Sequence, residues 1–285
     1  SQNRSNAAGS RRDMGRNWTL AATFIGLIIG ILFAARPELD LQISAVFFDP
    51  TTRRFSLAGE WLPELLRDLG KLIPWLFLTG GVALLFARAR YQKRRITMRS
   101  ALVLYLIASF ALGPGLVTNG LLKPAWSRPR PIQIEEFGGS QHFQPWWRPA
   151  YHYQQRSSSF VSGEASASFW LIAPASIAPL ALKPILLGAA IIFATITSGL
   201  RVAMGGHFVT DVVFAAVLQI LITVLCHIVC LGPRKREPGR RKLTSLELRP
   251  PKKLTSVSLK MAPAAASPSE DLATSREPTG PPLGE

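Results

Sequence analysis

The sequence predicts an all-α protein of the polytopic membrane class, built as a bundle of six transmembrane helices. Hydrophobic residues make up 48% of the 285 residues, yet the formal net charge is +16, so apolar and charged residues must occupy separate parts of the chain. Six apolar segments approach or reach the roughly 20 residues that a helix needs to cross a bilayer. Length alone would suit one or two soluble domains, so these segments determine the class.

Each predicted helix follows from where charges interrupt the apolar segments. The first three segments carry charges only near their ends, and the fourth and fifth are joined by so short a link that they predict a helical hairpin. The first is interpreted as a retained helix, because Arg36 and Pro37 follow it without a small-residue cleavage site. The predicted helices cover about residues 18–35, 69–87, 100–118, 162–182, 184–199 and 207–231.

Lysine and arginine residues between the helices predict the orientation, since they favour the cytoplasmic side in short loops. The strongest such stretch is RARYQKRRITMR at residues 88–99, and the basic residues near both termini agree with it. Both termini are therefore expected in the cytoplasm, and residues 36–68, 119–161 and 200–206 on the outer face. The predicted parts are an N-terminal tail (1–16), a membrane core (17–231) and a disordered basic tail (232–285) that can touch anionic lipid head groups.

Several kinds of site find no support in the sequence. It contains no internal repeat, no Gly-rich dinucleotide loop and no phosphate-binding loop. Cys226 and Cys230 lie one turn apart inside the sixth predicted helix, which favours packing over a disulfide or a metal site. The outer segments hold no convincing metal-binding cluster of carboxylates and histidines, so neither a metal nor a cofactor is expected. Any chemistry must therefore lie at the helix ends.

The stretch SGLRVAMGGHFVTD, residues 198–211, places ionisable residues where the sixth predicted helix begins. His207 and Asp211 are four residues apart, so they share one helix face about 6 Å apart along the axis. An aspartate one turn into a membrane helix is costly unless it is paired. Either the two side chains merely satisfy each other, or Asp211 holds one imidazole nitrogen of His207 and leaves the other free to attack.

Two further clusters are predicted on the same outer face. The first is KPAWSRPRP at residues 123–131, a basic run whose usual interpretation as a membrane anchor is weakened by its predicted outer location. The second is SSSFVSGE at residues 157–164. There Ser162 suits a helix N-cap, and Gly163 allows an anion to approach the free amide groups. Taken alone, this second cluster is also an ordinary helix start.

Together the three clusters resemble the signature of the type-2 phosphatidic acid phosphatase superfamily. The spacing and the order of the clusters relative to the helices both agree, and the resemblance covers roughly residues 17–231. The residues that carry it are Lys123 with six residues before Arg130 and Pro131, then Ser162 and Gly163, then Arg201 with five residues before His207 and three more before Asp211.

This resemblance implies a metal-independent hydrolase of lipid phosphomonoesters or diphosphates. It implies an active site at the outer membrane–water boundary, facing the periplasm of a bacterial inner membrane. In such a site His207 would attack phosphorus to give a phosphohistidine, and Asp211 would orient it. Lys123, Arg130 and Arg201 would neutralise the phosphoryl oxygens, and Ser162 with the Gly163 amide would complete the clamp. The implied partners are a lipid phosphate and membrane lipids, not nucleic acid.

The chain departs from the superfamily pattern at two positions. Leu200 replaces a common serine, which weakens one phosphate contact. Glu164 replaces the histidine that is thought to protonate the leaving alcohol. We predict that Glu164 has become the proton donor; His142 or His152 in the same outer segment is the competing donor, and a purely structural cap is the third interpretation of Glu164.

The outer segments also bear on the substrate. The stretch ELDLQISAVFFDP at residues 38–50 resembles the amphipathic segment of bacterial lipid phosphatases, which favours lipid A phosphatases, notably those acting at the 4'-position. Undecaprenyl pyrophosphate and phosphatidylglycerophosphate phosphatases are the alternatives. Residues 141–156 are rich in aromatic side chains that either anchor the chain at the lipid–water interface or contact the substrate chains. A lipid-phosphate binding or transport protein remains the non-enzymatic alternative.

Overall fold

The computed structural model describes residues 2–91, 96–149 and 158–232, and this part of the chain is mostly helical. The predicted all-α class is confirmed in this sense, with one small exception. Phe48–Asp49 (β1) and Arg54–Phe55 (β2) pair as a two-residue antiparallel hairpin. The helices are α1 (Gln2–Ala35), α2 (Glu38–Ala45), α3 (Trp61–Tyr91), α4 (Ile96–Phe110), a wider π-helical segment (Ala111–Leu122), α5 (Lys123–Trp126), α6 (Gly163–Phe169), α7 (Ile172–Ser176), α8 (Lys183–Ala203) and α9 (Val209–Leu231).

The predicted count of six membrane helices is not confirmed. Within the described residues, four helices are long and apolar enough to cross a membrane, and a bent pair raises the number to five if it is one span. That pair joins Leu20–Ala35 to Glu38–Ala45 with a bend of 95°. The four single spans are Trp61–Ala87, Ser100–Gln133, Lys183–Ala203 and Val209–Leu231.

The fourth predicted helix is instead two short helices, α6 and α7, of 7 and 5 residues. The chain breaks between them at Trp170 and Leu171. Pro174 explains this break, because proline has no N–H to donate to the carbonyl four residues earlier, at Trp170, and its ring crowds that carbonyl. The Trp170 carbonyl instead accepts from Ala173 N at 2.7 Å. Hydrophobicity alone did not reveal this break.

Other predicted boundaries also shift. Helix α1 begins at Gln2, within the predicted N-terminal tail, and α3 begins at Trp61, before the predicted start at residue 69. The predicted tail after Gly232 lies outside the described residues, so its disorder stays a prediction. The division into tail, core and tail likewise stays a prediction.

The main hydrophobic core lies where α4, α6, α7 and α9 meet. Trp170 is fully buried at its centre, where its ring packs edge-on against Phe110 with centroids 5.0 Å apart. Its indole Nε1 donates to Ser109 Oγ at 2.9 Å, so the one polar atom of the ring is satisfied. The outer surfaces of α1 and α3 expose large apolar side chains, including Phe24 and Trp75, as expected of helices that face lipid.

The π-helical segment directs the chain from α4 towards the outer face. Pro114 within it cannot donate a backbone hydrogen bond, which favours a wider helical turn. Gly113 lies directly against Gln219 of α9, whose Oε1 accepts from Ser166 Oγ at 3.1 Å. This polar contact fixes α9, α6 and the π-helical segment relative to one another, and the segment ends next to Lys123.

A smaller apolar cluster lies on the outer side. Phe55 of the hairpin packs with Ile134, Phe137 and Phe208, and all four side chains are buried. The backbone of the loop after α5 is joined to the α8–α9 link, because Ile132 N donates to Gly205 O at 3.1 Å. This cluster holds two of the three predicted motif segments together.

We expect Gly113→Ala to destabilise the protein, because a Cβ at this position would collide with the Gln219 side-chain amide. Overpacking of this kind costs about 1–3 kcal/mol. Gly188→Ala in α8 is the matched control, since a Cβ there meets no atom within 4 Å and gains helix propensity. Thermal unfolding of both variants in detergent tests the contact. A Gly113→Ala variant no less stable than Gly188→Ala would contradict it.

Candidate active site

The structure brings the three predicted clusters to one place at the outer ends of the helices. A Cβ on Gly163 would lie 3.1 Å from Lys123 Nζ, so the start of α6 and the start of α5 are in contact. Ser162 N donates to Asp211 O at 3.1 Å, which ties the same start of α6 to α9. The arrangement that the motif spacing predicted therefore follows from the packing of separate elements.

Arg201 reaches the site from the last turn of α8. Its guanidinium packs over Gly206, where any Cβ would collide with it. The chain turns there because Gly206 N and His207 N both donate to Arg201 O, at 2.9 and 3.2 Å. The short link thus folds back on Arg201 and places His207 beside it.

His207 is buried, with 2% of its surface exposed, and its ring orientation is fixed. Nδ1 donates to the carbonyl oxygen of Ser159 at 2.9 Å, while Asp211 Oδ2 lies 3.7 Å away. The direct hydrogen-bond acceptor is thus Ser159, and Asp211 acts on the ring at longer range. With the proton on Nδ1, a neutral ring carries its lone pair on Nε2, the atom available for attack.

The charge state of His207 suits a nucleophile. Burial lowers its pKa below the ordinary value of 6.5, because a charged ring would lose its hydration. Asp211 opposes this shift, while the positive charges of Arg201 and Arg130 reinforce it. A lowered pKa keeps the ring neutral at pH 7, as attack on phosphorus requires.

Asp211 is fully buried and is held by donors from three elements. Its Oδ1 accepts from Arg128 Nη1 at 2.6 Å. Its Oδ2 accepts from Phe208 N at 2.9 Å and from the hydroxyl of Ser159. The carboxylate is therefore fixed at the start of α9, where the helix dipole also stabilises a negative charge.

The predicted residues of α6 take up distinct roles. Ser162 is the N-cap, and its Oγ accepts from Ala165 N at 3.2 Å. Glu164 is ion-paired on both sides, with Oε2 lying 3.2 Å from Arg201 Nε and Oε1 lying 3.4 Å from Arg67 Nη2. The Arg201 contact lacks hydrogen-bond geometry, since that buried Nε has no hydrogen-bond partner in the structure. Glu164 thus bridges two guanidinium groups.

The structure describes one of the two competing proton donors. His142 is exposed, and its Nδ1 lies 3.0 Å from Glu135 Oε2. His152 lies outside the described residues. Within the described ranges, no group of three or more histidine, cysteine, aspartate and glutamate side chains is arranged to hold a metal ion.

Sequence reasoning missed Arg67 and the part played by Ser159. Arg67 follows Glu64 by one helical turn and pairs with it at 2.9 Å, which is an ordinary surface pattern at the level of sequence. Ser159 lay within the second cluster but was not distinguished from its neighbouring serines. Sequence reasoning also missed Asp40, an acidic residue between Leu39 and Leu41 whose Oδ2 lies 2.8 Å from Arg128 Nη2.

Comparison with known proteins agrees with the family that the motifs indicate. The family described as the PAP2 superfamily matches residues 98–232. A lipid A 4'-phosphatase of Francisella tularensis subsp. novicida is 30% identical over 223 residues, which cover 75% of this chain and 96% of that protein. A lipid A 4'-phosphatase of Rhizobium etli is 29% identical over 215 residues, covering 66% and 81%. A solved PAP2-type phosphatidylglycerolphosphate phosphatase from Bacillus subtilis gives a TM-score of 0.48 at 19% identity, covering 76% of this chain and 98% of that one.

The lowered pKa of His207 predicts that its ring protonates at a pH below 6.5. NMR of protein labelled with ¹⁵N-histidine measures this midpoint, and the signal that disappears in His207→Ala gives the assignment. His142, which is exposed, serves as the internal comparison. A His207 midpoint at or above 6.5 would contradict the dominance of burial over the nearby carboxylate.

Proposed function

We propose that this chain, a lipid phosphatase that belongs to the PAP2 superfamily, removes the 4'-phosphate of a lipid A-like glycolipid in a bacterial inner membrane. The observation that carries the substrate is the 30% identity that extends over 96% of a relative named for that activity. The Rhizobium relative bears the same name. Undecaprenyl pyrophosphate and phosphatidylglycerophosphate stay the alternative substrates; the phosphatidylglycerolphosphate phosphatase from Bacillus subtilis is 19% identical to this chain.

In the proposed reaction, His207 Nε2 attacks phosphorus and displaces the sugar oxygen. A P–N bond forms as the P–O bond breaks, and the leaving oxygen takes up a proton to become an alcohol. Water then attacks phosphorus as the P–N bond breaks, and its proton returns to the group that protonated the alcohol. Inorganic phosphate leaves and neutral His207 is restored. The Ser159 carbonyl holds the Nδ1 proton throughout, and the charge of Asp211 stabilises the ring when it becomes cationic.

The cations of the site supply the electrostatic part of catalysis. The cations of the site outnumber its carboxylates, so it keeps positive charge for a phosphate that carries about −1.5 to −2 at pH 7. Four cations, Lys123, Arg130, Arg201 and Arg67, lie near two carboxylates, Glu164 and Glu64. Because they are fixed before the substrate arrives, they stabilise charge as it spreads over the phosphoryl oxygens. No step requires a metal ion.

The ion pairs of Glu164 bear on the leaving-group proton. Its Oε2 lies 3.2 Å from Arg201 Nε and its Oε1 lies 3.4 Å from Arg67 Nη2, so both carboxylate oxygens face guanidinium groups. The contacts thus support a role in which Glu164 positions Arg201 and Arg67 next to the phosphate. Donation by Glu164 stays a prediction, and a substitution separates the two roles.

The proposed orientation places the site on the periplasmic face and both termini in the cytoplasm. Helix α3 supports it, because Arg67 near its outer end contacts the site, while the basic stretch 88–99 begins at its other end. The advance of 21 residues from position 67 to position 88 spans about 32 Å of helix, enough to cross the hydrocarbon core. The basic stretch then lies on the side that lysine and arginine favour.

The substrate proposal is tested with purified protein and three lipids at equal mole fraction in detergent micelles. They are bis-phosphorylated lipid A, undecaprenyl pyrophosphate and phosphatidylglycerophosphate. We expect kcat/KM for lipid A to exceed the others by about tenfold or more, a difference of about 1.4 kcal/mol in transition-state stabilisation. Fragmentation mass spectrometry of the product should show loss from the 4'-position. Preference for another lipid, or loss of the 1-phosphate, would overturn the substrate proposal.

Controls in the same assay test the mechanism. His207→Ala should lower kcat by about 10⁴-fold or more, and Asp211→Asn by less, because Ser159 still orients the ring.

Activity should survive EDTA and fall with vanadate. Phosphate release that needs added magnesium would contradict metal independence, and no release from any lipid would favour the binding or transport alternative.

Glu164→Gln separates the bridging role from proton donation. Loss of a proton donor should cost about 10²–10⁴-fold with the natural lipid and much less with an aryl phosphate, whose leaving group scarcely needs a proton. Loss of the bridge should slow both substrates equally, chiefly through KM. We expect the second pattern because of the two ion pairs. The matched control is Glu135→Gln, which removes an exposed carboxylate from the pair with His142. A large leaving-group dependence would restore Glu164 as the donor.

A further inference from the structure

A buried charge network extends from Asp211 away from the substrate side of the site. Arg128 is its centre and is fully buried. Its Nη1 donates to Asp211 Oδ1 at 2.6 Å and to Thr210 Oγ1 at 2.8 Å, and its Nη2 donates to Asp40 Oδ2 at 2.8 Å. Its Nε donates to Gln144 O at 2.8 Å. The guanidinium thus joins α9, α2 and the outer loop, and it also lies over the Phe208 ring at 4.3 Å.

Asp40 completes this network from α2. It is 1% exposed and accepts from Thr210 twice, from the backbone N at 3.2 Å and from the hydroxyl at 2.6 Å. Thr210 lies in the first turn of α9, where a backbone N–H has no partner inside the helix. Asp40 supplies the acceptor for the Thr210 N–H. Asp40 therefore holds both Arg128 and the end of the helix that carries Asp211.

The network contains more negative than positive charge, which affects the charge state of His207. One guanidinium faces two carboxylates, so the buried group keeps one excess negative charge next to His207. His207 becomes cationic when it is bonded to phosphorus, and a buried negative charge stabilises that state. Without the carboxylate of Asp40, Arg128 would be left with Asp211 alone and would neutralise it.

We infer that Asp40 and Arg128 are positioning residues for the catalytic pair, with Asp40 leaving Asp211 enough negative charge to act on His207. This inference rests on the proposed role of His207 as nucleophile. It gives α2 a part in catalysis that acts through Arg128 and Thr210. Helix α2 follows the 95° bend after the first apolar helix, so the network connects that corner of the fold to the reacting residues.

Asp40→Asn is the test, because it removes a charge and keeps the side-chain size. We expect kcat to fall about 10- to 100-fold, as for other residues that orient a reacting group, with KM little changed. The ¹⁵N-histidine midpoint of His207 should move to lower pH, since a negative charge near the ring has been lost. The charged groups that act directly on His207, which are Asp211, Arg201 and Arg130, are unchanged in this variant.

Asp49→Asn is the matched control from the same outer segment. Its carboxylate accepts from Thr51 N and Thr52 Oγ1 in an exposed turn, so the same chemical change should leave kcat and the His207 midpoint as in the wild type. Should Asp40→Asn fail to fold, Arg128→Lys replaces it. A lysine keeps one charge but cannot reach both carboxylates and Gln144 O together, so kcat should again fall.

The outcomes separate this inference from the proposed function. Folded Asp40→Asn protein with wild-type kcat and an unmoved His207 midpoint would overturn the inference. So would a loss of thermal stability while kcat of the folded protein is unchanged, because the network would then serve the fold alone. The NMR midpoint needs no substrate, so failure of lipid A as a substrate leaves that measurement valid.

Discussion

The pairing of charge at the membrane boundary is the constraint on which this structure depends. Binding a phosphate there requires cations, and stabilising a cationic histidine requires a buried carboxylate, yet each charge removed from water costs several kcal/mol unless it is compensated. The protein meets this requirement by sharing partners. Arg128 lies between Asp40 and Asp211, and Glu164 lies between Arg201 and Arg67.

These two sets of ion pairs differ in whether a substrate can reach them. The Arg128 group is closed to solvent and has every polar contact supplied by the protein, so it can only position. The Glu164 group is partly exposed, and the Nε of Arg201 lacks a hydrogen bond there. A substrate phosphate can therefore compete for the second set and not for the first. The Arg128 group thus holds His207 and Asp211 in position, while the ion pairs of Glu164 can be replaced by contacts to the substrate phosphate.

Sequence motifs predicted which residues would meet, because the end of α8, the start of α9 and the short link between them set the spacing of Arg201, His207 and Asp211. They did not predict the contacts between distant segments. The pairing of Arg67 with Glu164 joins residues 97 positions apart, and the acceptor for His207 is a backbone carbonyl, which no side-chain pattern reports. The break at Trp170 was also missed, since the apolar composition of residues 162–182 is compatible with one long helix or two short buried ones.

The packing of Arg201 over Gly206 changes what the motif means as a search pattern. A pattern that treats the five positions between arginine and histidine as arbitrary would accept chains with a side chain at the fifth, where a Cβ would collide with the Arg201 guanidinium. Such a chain would keep every charged residue and still displace the guanidinium from its place. A substitution of Gly206 can therefore disturb the phosphate-binding geometry without changing any charged residue of the motif.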